Sequence, residues 1–400
     1  MDEKEDIVEW LEKQNPVSLL QDAIRCNTVN PPGDELALVL KIQKILNDFG
    51  IPNELYPASP GRANLIARIN SGKHGKRLVF SGHLDTVAIG ESEWDYPPFA
   101  AECVEGRMYG RGTSDMKGGL YSMLLAFSYL HERREEWQGE CLLAVTFGEE
   151  TGGEGAKRMM CEQQLPTYDS MIIAEPTAHK LVIAHKGVLW VKIKCYGKNA
   201  HASMPQQGMN AICVAHDYFG CLQQSQLQET CHPLLSQTTF TVTKIQGGEK
   251  INVVPDYCEM TVDIRTNPSV NHSTILLLLQ ETATRIAGSH PCSRIEVETL
   301  LDLPAVMTSV ESSIVRTAQN VLLENGFSDI TPIGANYFTD GSVFSQYQSG
   351  DILIMGPGIP EQAHQTNEYI EIADYKKGVK FFYEIAAAYL SETVNERSYV

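Results

Sequence analysis

The sequence predicts an α/β fold in which a mostly parallel sheet, covered by helices, is interrupted by an inserted second domain. Short apolar runs with strand character alternate with segments whose apolar residues recur at helical spacing, which is typical of parallel sheets. Several of these runs end directly at a histidine or an acid, as in the segment SGHLDTV at residues 81–87. The length of 400 residues exceeds the size at which one core keeps growing, which favours two domains.

The elements of the first domain follow from hydrophobic periodicity and from helix-breaking residues. A helix is predicted at residues 6–26, ended by the segment NPPG at residues 30–33, and a second at 35–49, ended by Gly50. The further elements are strands at 64–69, 76–81, 140–147 and 170–174, and a helix at 120–130.

The order of elements changes after residue 185. Strands are predicted at 188–196, 238–245, 258–265 and 294–299, with helices at 208–223 and 273–287. This β-α-β-β-α-β order is the ferredoxin-like unit, and it is complete in itself. We therefore predict an inserted domain at 185–301 between two parts of the first domain, 1–184 and 302–400. The second part holds a helix at 312–324, a strand at 351–355 and a closing helix at 372–389.

Charge and composition exclude several classes of partner. The formal net charge is −18, whereas nucleic acids and anionic membranes require a basic face. The acidic, amphipathic amino terminus does not resemble a signal peptide, and no apolar run reaches membrane-spanning length. The ten cysteines never form a CxxC pair, which favours reduced thiols. We expect a cytoplasmic protein that binds neither nucleic acid nor membrane.

The first candidate site residues lie where the strand at 76–81 ends. His83 and Asp85 follow it, one residue apart. In α/β sheets ligands gather beyond the carboxyl ends of the strands. A histidine that binds metal commonly donates its other N–H group to a carboxylate, a role that Asp85 could fill for His83. For this segment alone, a core histidine beside a turn aspartate is the alternative.

A wider set of candidate metal ligands stands at strand ends or in the loops that follow. Its members are His83, Asp115, Glu149, Glu150, Glu175 and His364. Nitrogen and oxygen donors without thiolate suit zinc, cobalt or manganese. If one carboxylate bridges two ions roughly 3.5–4 Å apart, five donors are used and one carboxylate remains as a general base. Each residue alone has an ordinary explanation, such as a loop charge or a helix cap, but their coincidence at the strand ends of one sheet favours a metal site.

The motifs of the chain resemble a known family. SGHLDTV, YGRGTSDMKGG, FGEETGGEGA, AEPT, HKGVLWVKIKCYGKNAHASMP and the pair NVVPD and VDIR occur in this order. They resemble the zinc aminoacylase and carboxypeptidase family, in the branch that includes acetylornithine deacetylase and succinyl-diaminopimelate desuccinylase. The resemblance extends over essentially the whole chain.

The resemblance implies a dinuclear metallohydrolase. Two divalent ions, zinc or cobalt, would have three protein ligands each and share Asp115: His83, Asp115 and Glu175 for one ion, and Asp115, Glu150 and His364 for the other. Asp85 would orient His83, Glu149 would be the general base, and a cis peptide would follow Asp115. With glutamate at position 175, the chain is more similar to the deacylases and carboxypeptidases of the family than to its aminopeptidases and dipeptidases.

The resemblance also implies a role for the inserted domain as a lid and dimerisation domain. His201 would help to hold the oxyanion, and Arg265 with Asn252 would bind the carboxylate of the amino-acid product. Arg265 is suited to this because its planar guanidinium pairs with a carboxylate through two hydrogen bonds. From the sequence alone, a loop histidine and a solvated arginine are the alternatives. We expect a homodimer.

The expected activity is hydrolysis of the amide bond of an N-acyl amino acid, within arginine or lysine biosynthesis. A dipeptidase or carboxypeptidase with the same metal site is the first alternative, and a non-catalytic binding protein is a remote one. The residues that read the acyl group are not identified by sequence, although residues 339–342, TDGS, are candidates.

Overall fold

The computed structural model describes residues 5–224 and 231–392. The chain divides into two compact units. The first comprises Met1–Ile183, Thr308–Ile333 and Thr339–Val400, and the second comprises Ala184–Met307 and Gly334–Phe338.

The elements are numbered here in chain order. The helices are α1 (Ile7–Lys13), α2 (Pro16–Ile24), α3 (Leu36–Asp48), α4 (Gly118–Glu132), α5 (Glu154–Cys161), α6 (Ala211–Gln223), α7 (His272–Ser289), α8 (Ser313–Glu324), α9 (Gly341–Tyr347) and α10 (Ile372–Ser391). The strands are β1 (Asn53–Ser59), β2 (Arg62–Asn70), β3 (Arg77–His83), β4 (Glu102–Val104), β5 (Arg107–Tyr109), β6 (Glu140–Thr146), β7 (Ser170–Ile173), β8 (Val182–His185), β9 (Gly187–Tyr196), β10 (Ala200–His201), β11 (Thr239–Gly247), β12 (Val253–Val254), β13 (Tyr257–Thr266), β14 (Arg294–Leu303), β15 (Val306–Met307), β16 (Ile333–Ala335), β17 (Asp351–Ile354) and β18 (Tyr369–Glu371).

The sheet of the first unit has a parallel centre. Its order is β1-β2-β6-β3-β7-β17, continued by β8. The four strands β6, β3, β7 and β17 are parallel, whereas β1 and β2 run antiparallel at one edge. Every residue of β6 is buried, as is all of β3 after its first residue, which is why both appear in the sequence as unbroken apolar runs.

The helices of the first unit agree with the predictions in most places. Helix α4, buried from Gly118 to Leu130, packs on α10 and β3. The single helix predicted at 6–26 is wrong, because the chain breaks at Asn15, which adopts a left-handed conformation with φ of 53°, and Pro16 then begins α2. The short helices α5 and α9 and the edge strand β1 were not predicted. A small antiparallel sheet, β18-β5-β4, completes this unit.

The second unit has the predicted ferredoxin-like order. Its antiparallel sheet has the order β11-β13-β9-β14, and α6 and α7 pack against it over an apolar core. The predicted fold class, α/β with an inserted ferredoxin-like domain, is confirmed. Within the described ranges, no helix combines the length and the apolar character needed to cross a bilayer. All ten cysteines lie in these ranges and are free thiols.

Candidate metal centre

Three parallel strands deliver site residues to the same edge of the sheet. His83 is the last residue of β3, Glu149 and Glu150 follow β6, and Glu175 follows β7. His83 lies opposite Thr146, the last residue of β6, in the strand register. Parallel strands end at one edge, so the convergence of these side chains follows from topology.

One group of ligand atoms, the inner cluster, comprises His83, Asp115 and Glu175. Nε2 of His83 lies 3.3 Å from Oδ1 of Asp115 and 3.8 Å from Oε1 of Glu175. The three ligand atoms lie within 4.8 Å of one another. His83 is 2% exposed and Glu175 is 5% exposed, whereas the Asp115 side chain is 13% exposed, so the inner cluster is largely buried and is open to solvent only at Asp115.

A second group, the outer cluster, comprises Asp115, Glu150 and His364. Nε2 of His364 lies 3.2 Å from Oδ2 of Asp115 and 3.2 Å from Oε2 of Glu150. The side chain of His364 is 51% exposed, and its backbone is left-handed with φ of 64°. Asp115 belongs to both clusters and turns a different carboxylate oxygen to each histidine.

The donor set fits two divalent cations. Burial raises the pKa of Glu175 well above its usual range, and the neighbouring charge of Asp115 raises it further. Burial also raises the pKa of Glu150, again with Asp115 adding to it. Buried carboxylates in contact are costly unless positive charge compensates them. Imidazole nitrogen and carboxylate oxygen in two sets of three, with one shared carboxylate, suit zinc or cobalt.

The neighbouring carboxylates raise the pKa values of the two histidines. Burial alone would lower the pKa of His83, but its hydrogen bond with Asp115 and the charge of Glu175 raise it well above the usual range. Hydrogen bonds to Asp115 and Glu150 raise the pKa of His364 to about 10. The imidazoles and the carboxylates of the two clusters are therefore electrostatically complementary.

Glu149 lies beside the clusters but belongs to neither. It is 5% exposed, and burial raises its pKa well above the usual range. The charges of His83 and Glu175 both act on it. A buried carboxylate that is not needed as a ligand has the chemistry of a general base.

Asp85 contacts His83 through its main chain. Nδ1 of His83 lies 2.9 Å from the Asp85 carbonyl oxygen, whereas the carboxylate is 3.6 Å away. The carboxylate instead accepts the backbone N–H groups of Glu149 and Glu150, both at 3.1 Å, and the side-chain amide of Asn30 at 2.9 Å. Asp85 therefore supports the histidine with its carbonyl and the Glu149–Glu150 loop with its carboxylate.

Asp340 is a further buried carboxylate near the clusters, which the sequence analysis did not assign to the metal site. Its Oδ2 accepts a hydrogen bond of 2.6 Å from the hydroxyl of Thr146, and burial raises its pKa to about 6. Its charge acts on Glu149 and Glu175. The only sequence signal was the TDGS segment at 339–342, in which Thr339 and Ser342 are fully buried.

The remaining predicted site residues belong to the second unit. His201 is exposed, and its Nδ1 lies 2.7 Å from the hydroxyl of Ser203. His201 and Asn252 are close on one two-stranded ribbon, where the Asn252 carbonyl accepts the N–H group of Ala202. Arg265 pairs with Asp263 through Nε at 2.7 Å and Nη2 at 3.0 Å.

Comparison with known proteins identifies relatives of this chain. Residues 79–388 match peptidase family M20/M25/M40. A "probable succinyl-diaminopimelate desuccinylase" from Staphylococcus aureus is 30% identical over 413 aligned residues, covering 95% of this chain and 98% of the relative. An "acetylornithine deacetylase" from Vibrio cholerae is 30% identical over 345 aligned residues, covering 83% and 86%.

Solved structures share the fold at lower sequence identity. A dinuclear metal-binding peptidase of the M20 family from Bacillus subtilis superposes with a TM-score of 0.74 at 18% identity, covering 94% of this chain and 98% of its own. An aminopeptidase from Bacillus cereus gives a TM-score of 0.75 at 21% identity, covering 94% and 98%. The family resemblance read from the motifs is thus confirmed.

Proposed function

The chain belongs to peptidase family M20/M25/M40 and is a hydrolase, and we propose that it hydrolyses the amide bond of an N-acyl amino acid. The observation that carries this proposal is the arrangement of the acidic residues. Asp115 is shared between two ligand clusters, and the buried Glu149 lies beside them without belonging to either. These residues would supply ligands for two cations together with a general base.

The names of the relatives support the substrate class. The Staphylococcus aureus relative is named for removal of a succinyl group and the Vibrio cholerae relative for removal of an acetyl group. In both, the name describes an acyl group joined to the nitrogen of an amino acid. We propose the same class here, with a carboxylic acid and a free amino acid as products, in arginine or lysine biosynthesis in the cytoplasm.

The proposed metal ligands are those of the two clusters. The inner cluster would hold one divalent cation and the outer cluster a second, with Asp115 shared between them. Zinc or cobalt bound there would polarise the carbonyl of the amide and lower the pKa of a nearby water molecule.

The chain's own residues would move the proton and bind the substrate. Glu149 would accept a proton from the attacking water, whose oxygen forms the new bond to the acyl carbon. When the C–N bond breaks, Glu149 would return that proton to the departing amine. His201 would donate a hydrogen bond to the developing oxyanion. Arg265 and Asn252 would bind the carboxylate of the amino-acid portion.

Dipeptides are the second candidate substrate class. The solved structure from Bacillus cereus is that of an aminopeptidase, and in a dipeptide the peptide bond joins an acyl group to the nitrogen of an amino acid that carries a free carboxylate. The same ligand clusters and the same base would serve it. The two candidates differ only in what occupies the acyl side of the scissile bond.

A substrate panel with defined metal content tests the proposal. Metal-free protein is reloaded with zinc or cobalt and offered acetylornithine, succinyl-diaminopimelate, other acylated amino acids and several dipeptides. We expect activity on an acylated amino acid to reach its maximum at two metal equivalents. Cleavage confined to dipeptides would replace the substrate class, and activity that is independent of added metal would contradict the metal assignment.

The proposal includes a homodimer, as in the family that the motifs resemble. Light scattering on the purified chain measures its mass directly, and a monomer at all working concentrations would contradict this part.

A further inference from the structure

Glu368 is a fully buried carboxylate whose hydrogen bonds all lead to the loop that carries Asp115. Its Oε1 accepts the backbone N–H groups of Ser114 at 2.8 Å and Asp115 at 3.1 Å. Its Oε2 accepts the N–H group of Gly112 at 3.0 Å and Nη1 of Arg111 at 2.7 Å. Four donors thus surround one carboxylate that is 0% exposed.

The conformation of the Asp115 loop depends on this acceptor. Gly112 has a φ of 89°, which lets the backbone turn its N–H groups inward, and a side chain there would come within 2.8 Å of Thr86. The N–H groups of Gly112, Ser114 and Asp115 need an acceptor, because an unpaired backbone donor inside a protein is costly. Glu368 supplies it from more than 250 positions further along the chain.

The segment of Glu368 also carries His364, and further contacts join it to the same loop. Nη1 of Arg111 lies 3.2 Å from the Gln365 carbonyl, and its Nη2 lies 3.5 Å from the His364 carbonyl. The Ser114 hydroxyl donates to the carbonyl of the residue after Glu368 at 2.8 Å. The loop of the shared ligand and the segment of the exposed histidine are therefore fixed to each other.

We propose that Glu368 is a positioning residue of the metal centre: its carboxylate holds the Arg111–Asp115 loop against the 364–369 segment, so that Asp115 and His364 face each other. This inference rests on the proposed function, because it assigns a purpose to the geometry of the outer cluster. Glu368 contacts Asp115 only through the Asp115 backbone N–H group, and its carboxylate has no hydrogen bond to His83 or Glu175. Its effect is on the binding of the second cation.

The variant that tests this is Glu368→Gln. Glutamine keeps the size of the side chain but replaces one acceptor oxygen with an amide N–H₂ group that faces other donors.

The matched control is Glu140→Gln. Glu140 is also a buried carboxylate, 6% exposed and paired with Arg77 at 2.5 Å, but it begins β6, whereas Glu149 and Glu150 follow the other end of that strand.

The measurement is titration of metal-free protein with zinc against a competing chelator, together with the absorption spectrum of the cobalt-loaded forms. We expect wild type and E140Q to bind two equivalents. In E368Q the second equivalent should bind roughly 10–100-fold more weakly, as is usual when a residue supporting a ligand is lost. Excess metal should restore most of the activity of E368Q, which a damaged fold would not allow.

The outcomes separate this inference from the proposed function. If wild type does not bind two equivalents, the proposed dinuclear site fails. If wild type binds two and E368Q binds both as tightly as E140Q does, the role of Glu368 is refuted. Should metal-free E368Q fail to fold, Arg111→Lys replaces it, since this change removes contacts to both Glu368 and the 364–369 segment. Unchanged binding of the second equivalent by R111K would then overturn the inference.

Discussion

The inner and outer clusters share Asp115 but are constructed differently. The inner cluster takes His83 and Glu175 from the ends of two buried parallel strands. The outer cluster takes His364 from an irregular segment, with its side chain half exposed. One cluster is therefore fixed by the core of the sheet, whereas the other depends on contacts between loops. We therefore expect the inner position to be the more rigid of the two and the outer position to be the one more easily weakened.

The largest expected loss of activity comes from substitution of Glu149, which lies outside both clusters. This substitution therefore tests proton transfer separately from metal binding. Glu149→Gln should lower kcat by roughly 10²–10⁴-fold, because an amide cannot accept the proton of the attacking water. Metal analysis should still find two equivalents in this variant. Glu150→Gln is the paired control, since it removes an outer ligand and should lower metal content instead. Loss of metal from E149Q would show that Glu149 is a ligand.

The second prediction compares the metal affinities of the inner and outer clusters directly. His364→Ala leaves the inner donors intact, and His83→Ala leaves the outer donors intact. We expect each variant to keep one metal equivalent, bound at least about tenfold more tightly in H364A than in H83A, because the inner site is buried and held by strands. Chelator competition on the two proteins measures this. Equal affinities, or the reverse order, would contradict the distinction between a rigid and a loop-dependent site.

The same difference explains what could be predicted from the sequence. Buried parallel strands are unbroken apolar runs, so the strands ending near His83 and Glu175 and the ferredoxin-like order were identified correctly. The break at Asn15 was missed because apolar residues continue at helical spacing on both sides of it. The contacts of Glu368 were missed because its donors lie more than 250 positions away and belong mainly to the backbone. No local pattern records such contacts.

Packing beneath the inner cluster provides a third test. A Cβ atom at Gly119, in the first turn of α4, would lie 1.9 Å from the carbonyl oxygen of Ala174, the residue before Glu175. Gly119→Ala should therefore lower the free energy of unfolding by about 1–3 kcal/mol, the usual cost of overpacking a core. Chemical denaturation of the metal-free protein measures it.

Gly220→Ala is the control for that substitution. Gly220 lies in α6 and has no atom within 4 Å of an added Cβ, so alanine should stabilise the protein by about 0.5–1 kcal/mol. In G119A we also expect the more tightly bound metal equivalent to weaken, since Glu175 follows the displaced backbone. If G119A were as stable as wild type, the close packing of helix and strand end would be refuted.

The smallest expected effect comes from the support of the Glu149–Glu150 loop. The side-chain amide of Asn30 donates to Asp85 and to the hydroxyl of Thr151, both at 2.9 Å, and Asp85 in turn accepts the N–H groups of the loop. Asn30→Ala should lower kcat about tenfold, at the lower end of the effect of losing a residue that orients a ligand. It should weaken the second metal equivalent more than the first, because His83 is held by the Asp85 carbonyl, which Asn30 does not contact. Thr151→Val removes the other partner of the Asn30 amide, together with a 3.5 Å hydrogen bond from the Thr151 hydroxyl to the Gly148 carbonyl. It should have a smaller effect in the same direction. If N30A instead released the inner cation first, the carboxylate of Asp85 would have to support His83 after all, and the two clusters would share one support.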